Sequence, residues 1–295
     1  MAIFKGAGVA IVTPMNENEE VNYEKLEELV EWQIEQGTDA IVIVGTTGES
    51  STLTTEEHSD VIRAAVRFAK HRVPVIAGTG SNCTREAIHL SKEAEEAGAD
   101  GLLAVTPYYN KATQGGLIRY YTEIAEAVKL PIIMYNVPGR TGVNMTAETT
   151  LRIAREFDNV IAVKEASGNI TQMDDIIKNK PARFNVISGD DGITFPLMTL
   201  GAVGVISVIG NAFPREFSRM VRLALAGDYD SARTIHHSFT ELFSLLFVDG
   251  NPAGAKSMLN MMGFIENKLR LPLVPTRIVT YEKIREVLRQ LSIKC

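Results

Sequence analysis

Lys164 ends an apolar run in VIAVKEASGN. An amine at the end of a buried strand can be desolvated by apolar walls, which lowers its pKa and frees it to attack a carbonyl as a neutral base. Schiff-base formation is the chemistry such a lysine offers; a solvated lysine paired with its neighbour Glu165 is the alternative. Tyr135 and Asn136 close another run in PIIMYNVPGRTG, where a phenol one strand over could move protons through carbinolamine and imine formation, or be a plain core tyrosine. Arg140, in the loop that follows, is placed to grip a carboxylate through paired hydrogen bonds, although surface arginines are common. GTTGES, residues 45–50, offers backbone N–H groups and hydroxyls to an anion, with a carboxylate the expected guest and a bare structural turn the other reading. It lacks the lysine and the spacing of a phosphate-binding P-loop. TPYYN brings Tyr108 and Tyr109 to the end of a further run.

Other chemistries lack their parts. His58, His71, His89, His236 and His237 all fall in helical stretches, which leaves neither a histidine zinc site nor a Ser-His-Asp triad assembled at strand ends. Asp190 and Asp191 in SGDD are adjacent, so they point in different directions, and no third metal ligand is evident. Cys83 and Cys295 have neither a CxxC nor a Cys/His partner, and a reducing cytoplasm suits so few cysteines. The net charge of −6 is spread along the chain, without a Lys/Arg stripe that would track a phosphate backbone, so nucleic acid is not expected. No apolar run approaches the roughly 20 residues of a membrane helix, and a membrane role is not expected either.

These residues need a scaffold that brings strand ends together. Short β-branched runs at 8–13, 40–44, 75–78, 101–105, 132–136, 160–165, 185–188 and 204–208 alternate with amphipathic stretches, the pattern of a parallel sheet with crossover helices. Most runs are nearly all apolar, as strands covered on both faces must be. Asn22, Thr54 or Thr55, Thr84 and Thr146 mark helix starts, and Gly37 and Gly98 mark exits. Eight such units close a (β/α)₈ barrel, whose functional groups collect at the C-terminal strand ends. The chain is expected to divide into a barrel over 1–226 and a C-terminal helical region over 227–295. A doubly wound open sheet is the runner-up, but GxGxxG is absent, since GTG at 78–80 lacks the third glycine.

Taken in order, GTTGES, TPYYN, YNVPGRTG, VKEASGN, SGDD and GVISV resemble the dihydrodipicolinate synthase family over essentially the whole chain. The resemblance implies that Lys164 condenses with pyruvate without a cofactor or metal, and that the resulting enamine attacks L-aspartate 4-semialdehyde. Tyr135 and Thr46, with Tyr109 from a neighbouring subunit, would relay protons. Thr47 would bind the pyruvate carboxylate, Arg140 that of the semialdehyde, and the backbones of Gly189 and Ile206 would flank the lysine. It further implies a homotetramer built as a dimer of dimers. L-lysine is implied as an inhibitor at Ser50, Ser51, His58, Asn82, Glu86 and Tyr108; Thr55 departs from the histidine of lysine-sensitive members and leaves the strength of that inhibition open. N-acetylneuraminate lyases and keto-deoxy sugar acid aldolases share the lysine and tyrosine, but Arg140 and GTTGE lean toward the synthases. A barrel that only binds a metabolite would have no chemical need for Lys164, Tyr135, Thr46, Tyr109 and Arg140 together.

Overall fold

Strands buried on both faces must be short and apolar, and each run of that kind becomes one strand in the computed structural model, which describes residues 2–291. They are β1 (Gly6–Ala10), β2 (Ala40–Ile43), β3 (Val75–Gly78), β4 (Gly101–Val105), β5 (Ile132–Asn136), β6 (Val160–Glu165), β7 (Asn185–Ser188) and β8 (Gly204–Ser207). All pair in parallel with their neighbours in chain order, and β8 returns to β1 from Gly6↔Gly204 to Val9↔Ser207, closing a (β/α)₈ barrel.

The first strand begins and ends earlier than the apolar pattern predicts. After one last ladder bond, from the Ile11 N–H to the Val42 carbonyl (3.1 Å), a side chain takes over: Asn211 donates from Nδ2 to the Ala10 carbonyl (2.8 Å) and accepts from the Val12 N–H (3.0 Å). Residues 11–13 therefore stay buried without remaining strand.

The crossovers are α1 (Tyr23–Glu35), α2 (Thr55–Ala69), α3 (Thr84–Glu96), α4 (Gln114–Ala127), a single turn α5 (Pro138–Thr141), α6 (Ala147–Glu156), α7 (Ile170–Asn179), α8 (Asp191–Leu200) and α9 (Pro214–Leu225). Asn22, Thr54 and Thr146 cap α1, α2 and α6 through their side chains, Thr54 in a reciprocal capping box with Glu57. Thr84 is instead the first helical residue of α3, and exposed Cys83 precedes it without a side-chain cap; Cys295 lies outside the described residues. The chain continues in α10 (Tyr229–Ser238), α11 (Thr240–Leu245), α12 (Ala253–Met261) and α13 (Ile278–Gln290).

Two apolar clusters follow from strand alternation. A small one fills the barrel and includes Val42, Ile76, Leu103, Ile133, Tyr135, Ile187 and Ile206. A large one lies between strands and helices and runs on through Ala232, Phe239, Met258 and Ile284 of the C-terminal helices. One irregularity positions the chemistry. Along β5 and β6 the partner of Ile132 is Val160 but that of Ile133 is Ala162, so Ile161 is an extra residue bulged out of the pairing. Since a one-residue slip exchanges the two faces of a strand, the bulge puts Ala162 and Lys164 on the face shared with Ile133 and Tyr135.

Candidate active site

Lys164 and Tyr135 are register partners at the C-terminal ends of β6 and β5, with Lys164 Nζ 4.2 Å from the Tyr135 ring centroid. The amine is 5 % exposed. Burial brings its pKa from 10.5 down to about 7; the Asp191 carboxylate works against that fall and the Arg140 guanidinium adds to it. At about 1.4 kcal/mol per tenfold, burying the ammonium costs on the order of 5 kcal/mol. The pairing with Glu165 is not formed. That carboxylate belongs to the opposite face of β6, where it accepts from Asn136, Ser167 and Gln172. On the far side of the lysine a Cβ on Gly189 would stand 3.0 Å from Lys164 Cε and 2.8 Å from Ala166 Cβ, so the close approach needs glycine. Ile206 is buried on β8 within the same barrel interior.

Burial raises the Tyr135 pKa, while Arg140 and a hydrogen bond with Thr46 pull it back. Thr46 belongs to the loop after β2, where Val44 (φ 47°) and Glu49 (φ 57°) both sit in the left-handed region. For a β-branched residue that conformation costs on the order of 1–3 kcal/mol and persists only where its surroundings enforce it. The loop closes on itself from Gly48 N–H to the Gly45 carbonyl (3.0 Å) and from Glu49 N–H to the Thr46 carbonyl (3.1 Å). Buried Thr47 accepts at Oγ1 from Asn251 Nδ2 (2.9 Å), 204 residues away.

Arg140 is exposed on the turn α5, which starts at Pro138 directly after β5. Tyr109 is 88 % exposed at φ 74°, projecting from the loop after β4 into solvent, and it is the one proton-relay candidate the chain does not bring to its own lysine. A cavity of about 380 Å³ runs from Thr46 and Tyr135 past Ser50, Ser51, His58, Glu86 and Tyr108. Lys164 lies beyond this lining, behind Tyr135. His58 is buried with Nε2 on the Gly78 carbonyl (2.9 Å), and burial lowers its pKa. Asn82 and Thr55 lie outside the lining; the Asn82 carbonyl accepts from Asn110 Nδ2 (2.9 Å), and Thr55 is exposed at the start of α2. The described residues contain no group of three His, Cys, Asp or Glu side chains arranged to hold a metal ion. Asp190 and Asp191 diverge: Asp190 caps the Gly192 N–H (2.9 Å), while Asp191 turns to the end of β8.

Three residues that contact the predicted site or its supports were not legible as such in the sequence. Asn251 reaches Thr47 across 204 residues of chain, Asp191 meets the backbone N–H groups that follow β8, and Ser207 ends a strand like many other serines. No spacing marks Asn251, because only packing of the C-terminal helices against the barrel brings it to Thr47.

Residues 3–291 match the model of the dihydrodipicolinate synthetase family. The chain belongs to that family. Among its relatives in the family, the 4-hydroxy-tetrahydrodipicolinate synthase of Parabacteroides distasonis is 75 % identical over 99 % of this chain and 98 % of its own. That of Phocaeicola vulgatus is 64 % identical over the same shares. Among solved structures, the dihydrodipicolinate synthase of Aquifex aeolicus superposes with a TM-score of 0.97 at 47 % identity, covering 99 % of both chains. The chloride-inhibited Acinetobacter baumannii enzyme, complexed with pyruvate, gives 0.96 at 47 % identity over 98 % of this chain and 99 % of that one. The Cyanidioschyzon merolae enzyme, solved with lysine bound, gives 0.96 at 39 % identity over 99 % of this chain and all of the other.

Proposed function

We infer that the protein is a 4-hydroxy-tetrahydrodipicolinate synthase, joining pyruvate to L-aspartate 4-semialdehyde through a Schiff base on Lys164, on the route to diaminopimelate and L-lysine. The observation that carries this reading is a buried amine that titrates near pH 7 against the ring of Tyr135. As free base, Lys164 adds to the pyruvate ketone; the carbinolamine loses water to give the iminium. A methyl proton leaves, its bonding electrons neutralise the nitrogen, and the enamine carbon attacks the aldehyde. The semialdehyde amine then displaces Lys164 from the imine carbon, which cyclises the product and returns the lysine.

Protons in these steps pass through Tyr135, Thr46 and Tyr109. As the likeness to the family implies, Tyr109, exposed on its own chain, serves a neighbouring copy, and the assembly is a homotetramer made of two dimers. Thr47 and its backbone hold the pyruvate carboxylate, Arg140 holds that of the semialdehyde, and the Gly189 and Ile206 backbones flank the lysine. The cavity lined by Ser50, Ser51, His58, Glu86 and Tyr108 takes L-lysine as a feedback inhibitor, with Asn82, outside that lining, the further residue the family likeness assigns to it, in keeping with the lysine bound to the Cyanidioschyzon merolae relative. Among the described residues no helix is long and apolar enough to cross a membrane, and the cytoplasm is the proposed location.

The test is turnover. Purified protein given both substrates and a reductase that consumes the cyclic product is expected to oxidise the reductase's nicotinamide only when pyruvate and semialdehyde are both present. Pyruvate condensing with other aldehydes but not with the semialdehyde would move the protein to another aldolase activity.

A further inference from the structure

Glu165 is a fully buried carboxylate to which the synthase reading gives no task. It follows Lys164 at the end of β6, and its side chain lies on the outer face of the strand among neutral donors. Oε1 accepts from Asn136 Nδ2, and Oε2 accepts from Ser167 Oγ (2.7 Å) and Gln172 Nε2 (3.5 Å). Burial pushes the Glu165 pKa up, and the bonds from Ser167, Asn136 and Gln172 pull it back. A carboxylate taken out of water is unfavourable unless donors meet it, and here β5, the loop after β6 and α7 each supply one.

The effect is to tie two strand ends together. Asn136 and Glu165 are register partners on β5 and β6, one step beyond Tyr135 and Lys164. Asn136 is itself fixed: its Oδ1 accepts from the Met145 N–H (2.9 Å), and its Nδ2 also donates to Asn144 Oδ1 (2.9 Å) and the Met145 carbonyl (3.3 Å). Gln172 closes the ring, accepting from Asn144 Nδ2 (2.8 Å) and donating to the Met145 carbonyl (3.1 Å). Toward β7, the Glu165 carbonyl accepts from the N–H of Gly189 (2.8 Å), the glycine that lies against Lys164 Cε. Without the bulge at Ile161, the pairing that starts at Ile132↔Val160 would run on to set Val163 against Tyr135 and Lys164 against Asn136. In that register the alternation of side chains turns Lys164 out among the helices and Glu165 into the barrel, away from its three donors.

We propose that the hydrogen bond from Asn136 to Glu165 is a register lock, selecting the bulged pairing of β5 and β6 that turns Lys164 inward over the Tyr135 ring. The proposal rests on the Schiff-base reading above. Glu165 transfers no proton and touches no substrate; it is a positioning residue that acts through the strand carrying the lysine. Its reach across to β5 matters rather than its charge, since Lys164 points to the opposite face. A reacting group displaced by about 1 Å can lose about a hundredfold in rate, so a lock on the outer face is felt inside the barrel.

The experiment compares the full chain with Glu165→Gln, which loses the charge but can still accept from Asn136, and with Glu165→Leu, which loses both. In Glu165→Leu, Asn136 Nδ2 keeps its bonds to Asn144 and Met145, and half-buried Ser167 and Gln172 can turn to water. Formation of the borohydride-trapped pyruvate adduct is followed against pH at subsaturating pyruvate, alongside a thermal melt. In Glu165→Leu the ends of β5 and β6 part and water reaches the amine, so the midpoint of trapping rises by about one pH unit and the rate above it falls about tenfold or more. Glu165→Gln keeps the wild-type midpoint and traps within about threefold of the wild-type rate. If the charge were what mattered, its loss would lower the midpoint in both variants. That result overturns the proposal, as does a Glu165→Leu chain that melts earlier yet keeps the wild-type midpoint and rate, or a Glu165→Gln chain that traps no faster than Glu165→Leu. Should Glu165→Leu fail to fold, Glu165→Asp keeps the charge and loses the reach; its midpoint rises by less, and a midpoint that stays or falls overturns the proposal. A wild-type chain that traps no adduct would instead overturn the Schiff-base reading on which it stands.

Discussion

A lysine that attacks a carbonyl near neutral pH must be held where its ammonium is unwelcome, and Lys164 is so held. With its pKa at about 7 rather than 10.5, adduct formation at low pyruvate should climb as pH rises through about 7 and level off above it, which quenched-flow trapping would show. The same burial affects stability. Between those two values the unfolded chain binds a proton that the folded chain does not, so this residue's contribution to stability improves as pH rises through that window. Lys164→Met should therefore abolish adduct formation yet melt at a higher temperature than wild type at pH 7, by at most on the order of 5 kcal/mol. Tyr135→Phe should retain the fold and lose about 10²–10⁴ in kcat, the usual worth of a positioned proton carrier. Lys164 and Tyr135 were legible in the sequence because each ends an apolar run. That Lys164 faces Tyr135 and turns from Glu165 was not legible, since it depends on the bulge at Ile161, and nothing in VIAVKE announces an extra residue.

At the scale of elements, the GTTGES loop is strained where it leaves β2 and is held there from outside the barrel ring. Asn251 holds Thr47, and Lys256, fully buried in α12, pairs with Glu49. Arg270 forks onto Glu57 (2.6 Å to each oxygen) and gives its backbone N–H to Glu49 (3.1 Å). Asn251→Ala should raise KM for pyruvate about tenfold with a smaller change in kcat, as expected when one hydrogen bond ceases to hold a binding loop. Lys256→Met strands a buried carboxylate and should lower stability by about 3–5 kcal/mol in urea melts. The strands and most helix starts could be read from apolar period and capping residues, which are local signals. The clamp could not, because its partners lie more than 200 residues apart in the chain.

For the whole molecule, we propose that 1–226 and 227–295 are a barrel and its clamp rather than two independent units, since one apolar cluster runs through both. Expressed alone, 1–226 should expose part of that cluster and bind a hydrophobic dye without a cooperative melt. The exposed Tyr109 belongs at this scale too. If it serves a neighbour's lysine, mixing Lys164→Ala with Tyr109→Phe and allowing subunits to exchange should restore up to about a quarter of wild-type activity by random pairing in a two-fold dimer. No recovery after exchange would return Tyr109 to the role of a surface residue. The barrel was legible from the eightfold alternation of strand and helix; the inter-subunit role of Tyr109 was suggested only by the family's motifs, because no local pattern distinguishes a donated side chain from an idle one.

Covalent capture of pyruvate by Lys164 is read most directly from the mass of the intact protein after pyruvate and borohydride, followed by peptide mapping, with Lys164→Ala alongside. One reduced pyruvate adduct per chain is expected, mapped to Lys164 and absent from the variant. An unmodified wild-type chain, or an adduct at another lysine that persists in Lys164→Ala, would contradict it.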